Sequence, residues 1–148
     1  MRLWSPELLP YLPELQFKGQ YRELVAIMHD WRDKGKTNHL LVNPVMKYPK
    51  SELVRYFMIY NEEYSKRYHK TLSPRIVSEF KEFDISSHSY DGSTCYNGWL
   101  NTKEYLRVEM ANLYEKHFIG DGKSRITNEE WNMLVDGYRK ITGEDYRL

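Results

Sequence analysis

Apolar side chains recur at helical spacing along residues 14–34, and this pattern limits the possible folds more than any other feature of the sequence. The apolar positions fall three or four residues apart and so line one face of a helix, whereas a strand would alternate them. They are Tyr21, Leu24, Val25, Met28 and Trp31. Gly35 follows where a helix of this kind usually ends. No segment of the sequence shows convincing strand alternation, so the sequence predicts an all-α fold.

Four further helices are predicted from helix-start signals, which makes about five in total. A polar N-cap residue, a proline at the first helical position and a capping box each favour the start of a helix. The signals are Ser51 as an N-cap, Ser73-Pro74, Asn101 with Glu104, and the box Thr127–Glu130. The second helix is predicted to run to about His69, and the fifth to end near Gly143.

These helices are predicted to pack as one compact domain over residues 1–148. With 148 residues and 41% hydrophobic side chains, the chain can bury a single core. Residues 1–13 contain three prolines and are expected to cross the helices as a mostly non-helical segment. Residues 84–100 are rich in Ser, Asp, Asn and Gly, which predicts a long surface loop.

Charge is unevenly distributed along the chain although the net charge is only +1. Residues 1–75 carry 13 Lys/Arg and 8 Asp/Glu (13 − 8 = +5), and residues 76–148 carry 9 and 13 (9 − 13 = −4). One basic face is compatible with this asymmetry, but such an imbalance also arises without function. A single cysteine, Cys95, and the lack of a long apolar run predict a cytoplasmic protein with no membrane span.

The string from Gln20 to Leu24 places Glu23 about two helical turns into the first predicted helix, downstream of a short segment beginning Met1-Arg2-Leu3-Trp4. An α-amine has a pKa of about 7.7–8.0 and can act as a nucleophile near neutral pH. A glutamate close to that amine could exchange protons with the reacting groups. From the residues alone, a solvent-facing helical glutamate is the more common alternative.

The start Met1-Arg2-Leu3-Trp4, together with Gly19-Gln20-Tyr21-Arg22-Glu23-Leu24, resembles the pyrimidine-dimer DNA glycosylases, also called dimer-specific endonuclease V. The resemblance is firmest over residues 1–70 and weaker over residues 105–117. It implies a DNA repair glycosylase with abasic-site lyase activity on damaged double-stranded DNA. It also implies that the α-amine of Met1 is the nucleophile that forms an imine, that Glu23 is the acid/base, and that Arg2 and Arg22 grip phosphates.

Further cations are candidates for contacts with DNA phosphates. Lys18 lies four residues before Arg22, so the two share one side of a helix. The predicted loop at residues 35–50 contains no acidic residue and supplies Lys36, His39, Lys47 and Lys50. The alternatives are a solvated helix face with a Lys18–Glu14 ion pair and a histidine with a merely structural role.

No cofactor or metal is predicted, because the five histidines and Cys95 have no metal-ligand spacing. Two alternatives to the repair enzyme remain open. One is a non-catalytic nucleic-acid-binding or interaction module on the same scaffold. The other is an enzyme that uses the same imine chemistry on a different lesion or on a carbonyl substrate unrelated to nucleic acid.

Overall fold

The computed structural model describes residues 2–84, 95–120, 122 and 125–147. Over these ranges the chain forms five α-helices and two short 3-10 helices, with no strand, which confirms the predicted all-α class. The α-helices are α1 (Glu14–Lys34), α2 (Lys50–Tyr68), α3 (Pro74–Phe83), α4 (Lys103–Phe118) and α5 (Asn128–Thr142). The 3-10 helices are Pro6–Tyr11, before α1, and Asn43–Lys47, before α2.

The helix boundaries follow local backbone chemistry. α1 ends at Gly35, which adopts the left-handed conformation (φ 75°) and closes the helix with a hydrogen bond from its N–H to the carbonyl oxygen of Trp31. α5 begins with the predicted capping box, in which Thr127 and Glu130 each bond the other's backbone N–H. Two predicted starts are wrong by one or two residues. α2 begins at Lys50, before Ser51, and α4 begins after Thr102, whose hydroxyl caps it.

The N-terminal segment crosses the helices, as predicted from its prolines. The 3-10 helix Pro6–Tyr11 packs against both α2 and α5, which brings the first and last thirds of the chain together. Leu8 and Leu9 of this helix are fully buried, as is Leu3, which precedes it. The first residues of the chain are therefore part of the core and do not form a loose tail.

The buried face of α1 is rotated from the predicted one. Its buried members are Phe17, Gln20, Leu24, Ile27 and Met28, whereas Tyr21, Val25 and Trp31 are only partly buried. The periodicity located the helix, but its inward face is centred nearer Gln20, a polar residue that is not among the predicted apolar positions. The reason is a set of hydrogen bonds to the N-terminal segment, which makes a buried amide tolerable.

The predicted surface loop at residues 84–100 is only partly testable, because residues 85–94 lie outside the described ranges. Where the description resumes, residues 95–100 form turns, as in a loop, and Asn97 and Gly98 are exposed. The surface location is wrong for Cys95, Tyr96 and Leu100, which are buried in the core. The Tyr96 ring packs edge-on against Tyr48 and Trp99, at centroid distances of 5.1 and 5.2 Å. Aromatic packing thus draws this stretch inward despite its polar composition.

Candidate active site

α1 presents its charged residues on two different sides. Glu23 is half-buried under the N-terminal segment, while Arg22 beside it is exposed. Lys18 lies five residues before Glu23, about 140° around the helix, and forms a 2.7 Å ion pair with Glu14. Around the helix, Arg22 lies between the other two residues, about 40° from Lys18 and about 100° from Glu23. Lys18 therefore lies beyond Arg22 from Glu23, in the ion pair with Glu14 that was its predicted alternative.

Glu23 holds the beginning of the chain through a backbone hydrogen bond. The backbone N–H of Arg2 donates to Glu23 Oε2 at 3.2 Å, and Gln20 Nε2 donates to the same oxygen at 3.2 Å. The Arg2 guanidinium lies over the Trp4 ring, 5.3 Å from its centroid. Met1, the predicted nucleophile, lies outside the described residues, so the position of Arg2 is the nearest structural evidence for it.

Gln20 clamps the same segment with both ends of its amide. Its Oε1 accepts the Trp4 N–H at 2.7 Å, and its Nε2 donates to the Arg2 carbonyl oxygen at 3.0 Å. This pairing imitates a neighbouring strand, because the amide bonds the N–H and C=O that flank a single residue. Gln20 therefore fixes the direction in which the chain approaches Glu23.

Three side chains from α2 and α4 complete the attachment of the segment. The Tyr56 hydroxyl lies 2.6 Å from the Trp4 carbonyl oxygen and donates to it, and the Tyr105 hydroxyl donates to the Leu3 carbonyl oxygen at 3.1 Å. The Ser5 N–H donates to both carboxylate oxygens of Glu109, each at 2.9 Å. Every residue from Arg2 to Ser5 is thus anchored by at least one side chain from a helix.

Two carboxyl groups of this region have raised pKa values. Burial raises the pKa of Glu23 above its ordinary value, and the Arg2 N–H with the charges of Arg2 and Arg22 offsets this only in part. Burial also raises the pKa of Glu109 well above its ordinary value, against the lowering effect of the Ser5 N–H. A glutamate that keeps its proton closer to neutral pH is better suited to act as a general acid.

The remaining predicted cations lie away from Glu23 along the chain. Lys36, His39, Lys47 and Lys50 are all exposed, and they follow the C-terminal end of α1. The Lys50 ammonium lies over the Phe83 ring, 4.9 Å from its centroid. α1 separates this group from Glu23 by 11 residues, or about 16 Å of helix. Arg2 and Arg22 are therefore the cations nearest the carboxylate among the predicted residues.

Sequence reasoning missed two polar residues that build the site, Gln20 and Glu109. Gln20 belongs to the string that resembles the glycosylase family, but its residue type predicts no role, although it falls between Phe17 and Leu24 on the buried face. Glu109 likewise falls next to Met110 on the inward face of α4. A polar residue at a core position of a helical pattern was the available signal.

The described residues contain no group of three or more His, Cys, Asp or Glu that could hold a metal ion. Cys95 is buried, and burial raises the pKa of its thiol, so the thiolate needed for nucleophilic chemistry is disfavoured. None of the described helices is long and apolar enough to cross a membrane.

The described chain is thus an all-α protein in which a half-buried glutamate, Glu23, holds the start of the chain beside Arg2 and Arg22. The model of the family described as pyrimidine dimer DNA glycosylase matches residues 1–75, which include all the predicted site residues. The chain belongs to this family of DNA glycosylases, whose substrate is DNA. No curated protein and no solved structure matches the chain.

Proposed function

We propose that the protein excises a damaged base from duplex DNA and then cleaves the strand at the abasic site through an imine formed by the α-amine of Met1. The observation that carries this proposal is the 3.2 Å hydrogen bond from the Arg2 N–H to Glu23 Oε2. Arg2 is covalently bonded to Met1, so the α-amine proposed as the nucleophile belongs to the residue directly before the one that Glu23 holds.

The first chemical step replaces one bond to the sugar with another. The neutral amine attacks C1′, the bond from C1′ to the damaged base breaks, and the base leaves with the bonding electrons and takes up a proton. Glu23 protonates the ring oxygen as the C1′–O bond opens, which leaves a C1′ iminium. The raised pKa of Glu23 supports this role, because the carboxyl group keeps its proton closer to neutral pH.

Strand cleavage follows by β-elimination. A proton leaves C2′, the C3′–O bond breaks, and the 3′-phosphate departs with the bonding electrons. Water then hydrolyses the imine and regenerates the amine. In this proposal Arg2 and Arg22, whose charges both act to lower the pKa of Glu23, hold the phosphates on either side of the extruded nucleotide. The family description makes a pyrimidine dimer the first lesion to test.

Borohydride trapping tests this mechanism directly. Reduction converts the imine into a stable secondary amine, so incubation with abasic duplex and borohydride should give a covalent complex whose cross-linked peptide contains Met1. Intact-mass measurement should first verify a free Met1 amine. Acetylation of that amine should abolish trapping. A verified free amine that gives no covalent complex would reject the lyase mechanism and leave the non-catalytic module as the better description.

The glutamate is tested by Glu23→Gln, with Glu14→Gln on the same helix as the matched control. Base excision from dimer-containing duplex should fall by about 10²- to 10⁴-fold in Glu23→Gln, because an amide cannot supply the proton. Trapping on a preformed abasic site should fall less, because the sugar there already carries an aldehyde. The amine can then form the imine without displacing a base. Equal excision rates in the two variants would remove Glu23 from the mechanism.

A further inference from the structure

The segment between α1 and the second 3-10 helix forms a turn with an apolar corner. The His39 carbonyl oxygen accepts the N–H groups of Val42 and Asn43, at 3.0 and 2.9 Å, and Leu40 and Leu41 lie between these anchors. Their exposed fractions are 85% and 49%. Turn corners usually carry Gly, Asn, Asp or Ser, so two exposed leucines at this position are unusual.

The base of this turn is fixed to the protein. The Thr37 hydroxyl donates to Asn43 Oδ1 at 2.6 Å, and the side chains of Val42 and Val45 are fully buried. Because Val42 and Val45 are buried, the segment as a whole is packed against the protein, and only the corner with Leu40 and Leu41 is exposed. The leucine pair, Leu40 and Leu41, is therefore held outward on an ordered support.

The charges around the leucine pair select the partner. Residues 34–51 contain four lysines and one histidine and no acidic residue. Lys36, His39 and Lys47 form no ion pair with any residue in the described ranges. In the sequence Lys36 precedes the leucine pair and Lys47 follows it, and neither lysine forms an ion pair with a described residue. An exposed apolar tip on such a segment is complementary to a polyanion whose interior is apolar and stacked, which is the chemistry of duplex DNA.

We propose that Leu40 and Leu41 enter duplex DNA as a wedge between adjacent base pairs, with Lys36 and Lys47 on the flanking phosphates. Apolar wedges of this kind unstack a base step and kink the duplex. The inference rests on the proposed function only in taking duplex DNA as the substrate. It assigns the leucine pair to DNA deformation and not to the chemistry at Glu23.

The wedge should act at a distance from the lesion. The 11 residues of α1 between Glu23 and Lys34 span about 16 Å, and for a duplex that lies parallel to α1 this corresponds to roughly five base pairs at 3.4 Å each. The unstacked step is therefore expected several base pairs from the damaged nucleotide. This separation makes the wedge measurable apart from any unstacking at the lesion itself.

2-Aminopurine fluorescence measures the unstacking. The probe duplex carries a non-cleavable tetrahydrofuran abasic analogue, and 2-aminopurine is placed in turn at positions 1 to 8 base pairs to either side. The wild-type chain should raise the fluorescence at one position about five base pairs away. The double variant L40S/L41S should lose that rise and bind about tenfold more weakly. M133S, which replaces an exposed methionine on α5, is the matched control and should keep both.

Each outcome decides the proposal separately from the mechanism. A wild-type chain that forms the borohydride-trapped complex but raises no distant signal keeps the mechanism and overturns the wedge. A loop-dependent distant signal without any trapping supports the wedge and rejects the mechanism. A distant signal that survives in L40S/L41S overturns the wedge. The wedge is also overturned if L40S/L41S keeps the fluorescence signal but no longer self-associates or no longer binds anionic vesicles. The leucine pair would then bind a second copy of the chain or a membrane.

Discussion

At the scale of single residues, the start of the chain is held in position mainly by Gln20, a side chain that has no part in the proposed chemistry. Gln20 bonds Arg2, Trp4 and Glu23 together and is itself buried. It is a positioning residue, because it orients the chain start and the carboxylate and has no reacting group of its own. Its removal should therefore affect catalysis through geometry.

Gln20→Leu is expected to lower kcat for base excision more than it changes KM, since the substitution removes none of the cations proposed to bind phosphates. It should also lower the free energy of unfolding by about 1–3 kcal/mol, because the Trp4 N–H and the Arg2 carbonyl lose their partner. Kinetics on dimer-containing duplex and urea unfolding measure these effects. Gln16→Leu is the control, since Gln16 Oε1 has no hydrogen-bond partner in the described structure. Equal kcat values in the two variants would contradict the positioning role.

Glu109 should make stability fall as pH rises. Its pKa is raised in the folded state, so the folded protein binds the proton more tightly than the unfolded chain does. The stabilising effect is complete below the ordinary pKa of a glutamate and is lost as pH rises toward the folded-state value. Glu109→Gln, which keeps an oxygen for the Ser5 N–H, should unfold like the wild type near pH 4 and be more stable at pH 8.

Urea unfolding of Glu109→Gln at several pH values measures this difference, and Glu104→Gln, on the exposed side of α4, is the control. The gap between Glu109→Gln and the wild type should widen steadily with pH. A gap that is constant with pH would show that Glu109 has the same protonation in the folded and unfolded states.

At the scale of elements, the packing of the first 3-10 helix on α5 depends on a single glycine. A methyl group at Gly137 would overlap the ring of Tyr11, whereas a methyl group at Gly19 on α1 would meet nothing closer than 3.9 Å. Substitution by alanine is therefore expected to change the stability in opposite directions at the two glycines. Gly137 permits close approach of two elements, and Gly19 only weakens a helix.

Gly137→Ala is expected to destabilise the protein by about 1–3 kcal/mol, because the overlap forces Tyr11 and its helix away from α5. Gly19→Ala should stabilise it by about 0.5–1 kcal/mol, as alanine does in helix interiors. Thermal and urea unfolding check both values. A stabilising Gly137→Ala would mean that the 3-10 helix moves aside without cost, and that its position does not fix the N-terminal segment.

Elements were more predictable from the sequence than the contacts between them. The bounds of α1 and the starts of α3 and α5 follow from periodicity, proline and a capping box, all of which act within one turn. Tyr96 is held by a partner 44 residues away, since its backbone N–H donates to Glu52 Oε2. Gln20 bonds Trp4, which is 16 residues away. Local sequence patterns contain no information on such distant partners. The sequence therefore predicts the pair formed by the Met1 amine and Glu23, but not Gln20 and Glu109, which hold the chain start.

At the scale of the whole molecule, the asymmetry of charge predicts where salt should matter. Cations in the first half, such as Lys36, are expected to meet phosphates, and those in the second half, such as Lys116 on α4, are not. Lys36→Gln should reduce the slope of log affinity against log salt by about 1. Lys116→Gln should leave the slope unchanged. Binding titrations with undamaged duplex at several salt concentrations distinguish them, and equal slopes would place the DNA elsewhere.

The hydrogen bonds from Ser5 to Glu109 and from Tyr105 to Leu3 join residues 104 and 102 positions apart. During translation the opening segment leaves the ribosome long before α4 is made. At 5–20 residues per second that delay is about 5–20 seconds. The segment from Leu3 to Ser5 therefore lacks two of its anchors until α4 has been made. A nascent chain stalled before α4 is accordingly expected to excise no damaged base.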